Sequence, residues 1–141
     1  MKKYKSKISY GMLIGIFLLF FTPIIIGTLK NGFSEKSIIG LGILTITYAF
    51  ILDLFLRTEY SIENNKLKIK CSFFYRKEID ISKITHISKT NNIISSPAPS
   101  FDRIEIKYGK FGQVIISPKN KVSFAKELTE LNPNIENKIL E

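Results

Sequence analysis

The chain has no tryptophan, one cysteine, one histidine and two methionines in 141 residues. One cysteine excludes an intramolecular disulfide and a cysteine-based zinc site. One histidine removes most nucleophilic constellations, and no Ser–His–acid arrangement is visible from spacing. There is no glycine-rich phosphate loop and no HExxH pair. Acidic residues are also few, 12 against 21 Lys plus Arg, for a net charge of +9. That excess is not the footprint of a nucleic-acid binder. Residues 1–57 carry +5, with four lysines in the first seven positions, and the rest of the chain carries only +4. The expectation is a chain with no catalytic residue, no metal, no cofactor and no nucleic-acid partner.

What is abundant is apolar, and it is unevenly spread. Residues 8–29 hold no charge. At ~1.5 Å per residue such a run spans about 33 Å, enough for a bilayer core of ~30 Å. It is longer than the ~7–15 apolar residues of a signal peptide, and no small-x-small cleavage site follows. Pro23 predicts a kink that neighbouring helices can tolerate. A second run, residues 37–56, is interrupted only by Asp53, which pairs in expectation with Arg57 one turn on. The short link, residues 30–36 with Asn31-Gly32, forces the two helices to be antiparallel. The spacing therefore predicts a transmembrane hairpin over residues 1–57, with helices at about 8–29 and 37–56. Lys2, Lys3, Lys5 and Lys7 outweigh Lys30 and Lys36, which places both chain ends in the cytoplasm of a cell with an inner membrane. Gly11 and Gly15, with Gly40 and Gly42, leave room for self-association through the helices.

From residue 58 the period changes to two. Lys66-Leu67-Lys68-Ile69-Lys70-Cys71 alternates, turning Leu67, Ile69 and Cys71 inward and three lysines outward. Asn64-Asn65 suits the hairpin turn before it. Residues 75–81, 83–90, 103–108 and 113–117 read as further strands, with His86 on one of them in a structural role. Ser117 is the expected cap of a closing helix with Pro118 at its first position. Val122, Phe124, Ala125, Leu128 and Leu131 fall on one face of that helix, and Asn132-Pro133 stops it. Strands first and one amphipathic helix last is an antiparallel barrel or sandwich with a helical cover. Between two good strands lies Asn-Asn-Ile-Ile-Ser-Ser-Pro-Ala-Pro-Ser, residues 91–100, whose prolines cannot donate ladder hydrogen bonds.

The stretch Ser96, Pro97, Ala98, Ser100, Asp102, Arg103, Ile104, followed by Ile116-Ser117-Pro118-Lys119 and Asn132-Pro133, resembles a family of small bacterial pleckstrin-homology-like (PH) domains. Pro99 stands where an aliphatic residue is frequent. The resemblance implies an α+β PH-like domain over residues 58–141. Its fold is about six to seven antiparallel strands in a bent barrel with one C-terminal amphipathic helix. Members often carry one or two membrane helices before the domain, and a protein giving immunity to the bacteriocin sublancin resembles them too. The implied function is a membrane-anchored binding module, with bacteriocin immunity or tolerance as one use. A non-enzymatic scaffold or accessory subunit of a membrane complex is the alternative. Partners are then the lipid bilayer, a membrane protein or a peptide toxin.

Two groups of residues are candidates. Ser96, Pro97, Ser100, Asp102 and Arg103 either fix the Pro-rich loop or bind a partner. Asp102, on the face of Ile104 and Ile106, is expected to accept hydrogen bonds from Ser96, Ser100 or loop N–H groups. Arg103, on the opposite face, is expected in solvent, able to hold a carboxylate or phosphate. Lys66, Lys68 and Lys70 form an outward stripe, either facing anionic lipid or guarding a solvated edge.

Overall fold

A computed structural model describes residues 2–92 and 98–139. The chain divides into two units. One is residues 9–54, and the other joins residues 1–8 to residues 55–141.

The first unit is a helical hairpin of α1 (Tyr10–Asn31) and α2 (Glu35–Leu56). Ser34 accepts from the Ser37 N–H at 3.2 Å and so satisfies one orphan donor at the start of α2. Gly32, in the left-handed region at φ 77°, ends α1. The helices meet through aromatic rings. Phe17 stacks on Phe21 with centroids 4.4 Å apart, and Tyr48 lies against both. The Tyr48 hydroxyl donates to the Leu13 carbonyl at 3.2 Å. The helix α1 is continuous across Pro23. In α2 no residue is buried, and in α1 only Leu13 and Phe21 are.

Among the described residues, the second unit holds eight strands in two four-stranded sheets. The first sheet runs β1 (Lys2–Lys5), β2 (Thr58–Glu63), β3 (Lys66–Cys71) and β4 (Tyr75–Asp80), all antiparallel neighbours. A short 3-10 turn, Ile81–Lys83, leads to the second sheet. That sheet contains β5 (Ile84–Thr90), β6 (Arg103–Tyr108) and β7 (Gly112–Ile116), with β8 (Glu136–Asn137) parallel to β5 at one edge. Helix α3 (Lys121–Leu131) follows β7. The strands expected over residues 66–71, 75–81, 83–90, 103–108 and 113–117 are present as β3 to β7, and β2 precedes the Asn64-Asn65 turn. Their expected closure into a bent barrel is corrected: the sheets stay separate, bridged in one place by an isolated pairing of Ser6 with Pro118.

Two strands escaped the alternation. In β1, Lys2-Lys3-Tyr4-Lys5 points only Tyr4 inward, so one apolar residue carries the pattern. The expected boundary after residue 57 is thus incomplete, because residues 1–8 pack with the sheets. In β8 two residues are too few to show a period. The helix cap is corrected too: Asn120, not Ser117, accepts from the Ser123 N–H. Ser117 is fully buried and its carbonyl receives the Lys7 N–H at 2.7 Å.

The core lies between the sheets and under α3. Tyr60, Leu67, Ile69, Ile81, Ile84, Ile87, Ile104, Ile106 and Ile116 line it, and Phe124, Ala125 and Leu128 of α3 cover it. Each sheet offers one apolar face, and the amphipathic helix removes both from water. Tyr4 meets Phe124 edge-on at 5.1 Å, which seats β1 against α3.

Candidate functional site

In the first candidate group Asp102 and Arg103 are not placed as the alternation implied. Ser96 and Pro97 lie outside the described residues. Arg103, expected outward, is buried, 7% exposed. Its Nε donates to the Ser100 carbonyl at 2.6 Å and its Nη1 to the Asn92 carbonyl at 3.2 Å. The guanidinium therefore ties together the two sides of the Pro-rich loop. Burial pushes its pKa below the ordinary value. The face assignment failed because the guanidinium folds back onto the loop carbonyls instead of extending into solvent. Ser100 is buried as well, and its hydroxyl accepts from the Asp102 N–H at 3.2 Å.

Asp102, expected inward, is half-exposed. Its carboxylate accepts from Lys121 and, at 2.8 Å, from Lys7. Hydrogen bonds from Lys121 first and Lys7 second hold the carboxyl below its usual value. One side chain thus links the N-terminal segment, the start of β6 and α3.

Lys66, Lys68 and Lys70 do face outward on β3, but each meets an acid. Lys66 lies 3.5 Å from Glu78, Lys68 3.0 Å from Glu63 and Lys70 3.8 Å from Glu59. Cross-strand register brings Lys66 opposite Glu63 and Lys70 opposite Glu59 in β2, and Lys68 opposite Glu78 in β4. The stripe is a ladder of alternating charge, so little of its positive field is left unbalanced. His86 Nε2 sits 2.5 Å from Glu136, where β5 runs beside β8. Cys71 is buried and accepts from the Thr58 hydroxyl at 3.2 Å. Among the described residues, no three His, Cys, Asp or Glu side chains cluster as metal ligands would.

One further feature was not visible from spacing. A pocket of about 330 Å³ is lined by Lys5, Arg57, Thr58, Lys70, Ser72 and Phe73, among others. It forms because β1 and β2 are antiparallel neighbours, and the first leads into α1 while the second leads out of α2. The Ser6 N–H donates to the Thr58 carbonyl at 3.2 Å. Beneath lies a buried hydroxyl cluster: Ser6 Oγ is 3.1 Å from the Tyr60 hydroxyl and from Ser117 Oγ. Burial raises the Tyr60 pKa, so the phenol stays neutral. On the outer wall the Ser72 N–H donates to the Arg57 carbonyl at 3.2 Å, and the Arg57 guanidinium lies 5.4 Å from the centre of the Phe73 ring. The mouth therefore combines the cations Lys5 and Arg57, an aromatic ring, hydroxyls and the acid Glu59, which lies 3.8 Å from Lys70. The sequence signals were faint: one tyrosine among lysines, and a Phe73-Phe74 doublet between two strands.

Two four-stranded sheets and a closing helix define a small α+β domain. The model of the bacterial PH domain family matches residues 58–132, more than half of the chain, and the protein belongs to that family. PH domains in general are non-catalytic binding modules. No curated protein and no solved structure matches the chain.

Proposed function

We propose that the protein is a membrane-anchored binding module, with α1 and α2 as a transmembrane hairpin and the two sheets on the cytoplasmic side. The observation that carries this is α2. It has 22 residues, a mean hydropathy of 2.1 over its most apolar window, and nothing buried. Each Å² of apolar surface left in water costs about 25 cal/mol, whereas a bilayer accepts such a helix with its backbone bonds satisfied internally. The domain then binds at the membrane surface, and a membrane protein or a peptide toxin is the class of partner it meets there. Resemblance to a bacteriocin immunity protein supports the toxin, and immunity or tolerance is the use that follows.

The test is alkaline extraction of membranes from expressing cells. The protein stays in the pellet and is released by detergent. Recovery in the alkaline supernatant contradicts the anchor. Survival of a sensitive strain that expresses the protein tests immunity, and unchanged killing across a bacteriocin panel removes that use.

One observation favours a second reading, a self-associating scaffold. A methyl group added at Gly11 or Gly15 would touch nothing within 4 Å, so a second helix has room to approach there. Gly11→Leu with Gly15→Leu then dissociates the oligomer in detergent. An unaltered oligomeric state rejects this reading.

A further inference from the structure

The turn between β3 and β4 presents an unusual surface. Phe73 is 69% exposed and Phe74 74% exposed, side by side. Large aromatic rings in water are costly, and a contiguous pair marks an interaction surface. The backbone holds them there under strain. Ser72 takes φ 53°, a left-handed conformation rare outside glycine. Its buried side chain and its N–H bond to the Arg57 carbonyl keep it there.

The position of the pair indicates what it meets. Arg57 directly follows Leu56, the last residue of α2. The turn is thus hydrogen-bonded to the residue at which the chain leaves the apolar helix. A second exposed ring, Phe101, lies next to Asp102. Asp102 in turn holds Lys7, three residues before α1 begins. Aromatic residues therefore lie close in the chain to cations next to both helix ends: Arg57 over the Phe73 ring, and Lys7 bonded to Asp102, the residue after Phe101. Rings at the level of the headgroups with basic side chains among the phosphates are the pattern of a membrane interface.

We infer that the Phe73-Phe74 turn inserts into the interfacial layer of the phospholipid bilayer that α1 and α2 cross, with Phe101 as a second contact. The turn fixes the orientation of the domain and holds the mouth of the Lys5–Arg57 pocket at headgroup level. The inference rests on the membrane-anchored reading. The domain has an internal contrast: Phe111, in the turn at the far end of β6, is also highly exposed. A six-residue strand separates that turn from Asp102 by about 20 Å, which makes Phe111 the comparison residue.

The absence of tryptophan makes the test direct. Four single variants of the full chain, Phe74→Trp, Phe73→Trp, Phe111→Trp and Leu19→Trp, are reconstituted in vesicles of phosphatidylcholine and phosphatidylglycerol. A matching set contains lipid brominated near the headgroup or deep in the acyl chain. Leu19, exposed in the middle of α1, reports on the hairpin itself. The expected result has three parts. Leu19→Trp loses most of its emission to deep bromine. Phe74→Trp and Phe73→Trp lose most of theirs to shallow bromine and emit to the blue. Phe111→Trp is unaffected by either lipid and quenched by aqueous acrylamide. If Leu19→Trp is quenched while both turn variants behave like Phe111→Trp, the interfacial turn is rejected and the hairpin stands. A protein then becomes the partner for the aromatic pair. If Leu19→Trp escapes quenching as well, the membrane anchor falls and the turn with it.

Discussion

The Ser6 N–H and the Thr58 carbonyl are 3.2 Å apart, although the whole of α1 and α2 lies between them in the chain. The helical hairpin is therefore an insertion between two neighbouring strands of one sheet. Closing so long a loop costs entropy, and contacts of β1 must offset it. Tyr4 supplies them. It is buried, packs on Phe124 and donates to Glu127. Burial raises the Glu127 pKa, but hydrogen bonds from Lys2 and Tyr4 outweigh this and hold the carboxyl below its usual value.

Tyr4→Ala follows from this as a stability test. Removing a buried ring costs about 3 kcal/mol when the site cannot collapse. Denaturant unfolding of the full chain in detergent shows the lowered midpoint. Tyr4→Phe keeps the ring and loses only the hydrogen bond, so it costs about 1 kcal/mol. Equal effects of the two variants would reject packing as the main contribution.

Arg103 predicts a loss confined to one loop. Its two bonds to the Ser100 and Asn92 carbonyls come from a buried charged group, so Arg103→Ala costs about 2 kcal/mol. Amide exchange of Ala98 and residues 100–102 accelerates while that of β2 and β3 does not. Partner binding that weakens in Arg103→Ala in step with this loop exchange identifies Arg103 as a positioning residue. Weakened binding with an unchanged loop would make it a contact.

Asp102 predicts a dependence on acid. Its folded pKa lies below the ordinary 3.8 because Lys121 and Lys7 bond the ionised form. In the window just below that ordinary value the unfolded chain binds more protons, so stability rises with pH there. The contribution is complete above about pH 5 and disappears as pH falls through the lowered pKa. Asp102→Asn is less stable than wild type by about 1 kcal/mol at neutral pH, since the pairs are partly exposed. The two proteins converge in acid. A difference that persists at pH 2 would contradict the ion-pair origin.

Gly112 predicts a steric penalty. A Cβ there would lie 2.4 Å from the Tyr108 ring and 2.7 Å from the Tyr108 carbonyl oxygen. The carbonyl cannot rotate away, so Gly112→Ala costs about 2 kcal/mol by overpacking. Thermal unfolding measures it, with Lys110→Ala in the same turn as the neutral control.

What was legible in the chain follows from how local each signal is. The hairpin turn at Asn64-Asn65 has both residues at positive φ, 51° and 59°, as asparagine permits. The strands β2 and β3 alternate strictly over six residues, and the other four longer strands were readable as short runs between turn residues. The strand β1 was hidden because its lysines read equally well as the flank of a membrane helix. The Pro-rich loop stood out by composition. The reversed roles were not readable: Asp102 turns to Lys7 and Lys121, which only the assembled fold brings near, and Arg103 turns back onto the Ser100 and Asn92 carbonyls of the loop. The pocket was the least visible part, because Lys5 and Arg57 become neighbours only when β1 pairs with β2.

The central claim is that α1 and α2 form a membrane hairpin with both sheets on the cytoplasmic side. Two highly exposed residues report on it, Phe33 between the helices and Phe111 in the domain. In a Cys71→Ala background, Phe33→Cys and Phe111→Cys are treated in intact cells with a membrane-impermeant maleimide. The account predicts labelling of Phe33→Cys from outside and labelling of Phe111→Cys only after permeabilisation. Equal labelling of both in intact cells, or of neither before permeabilisation, would contradict it.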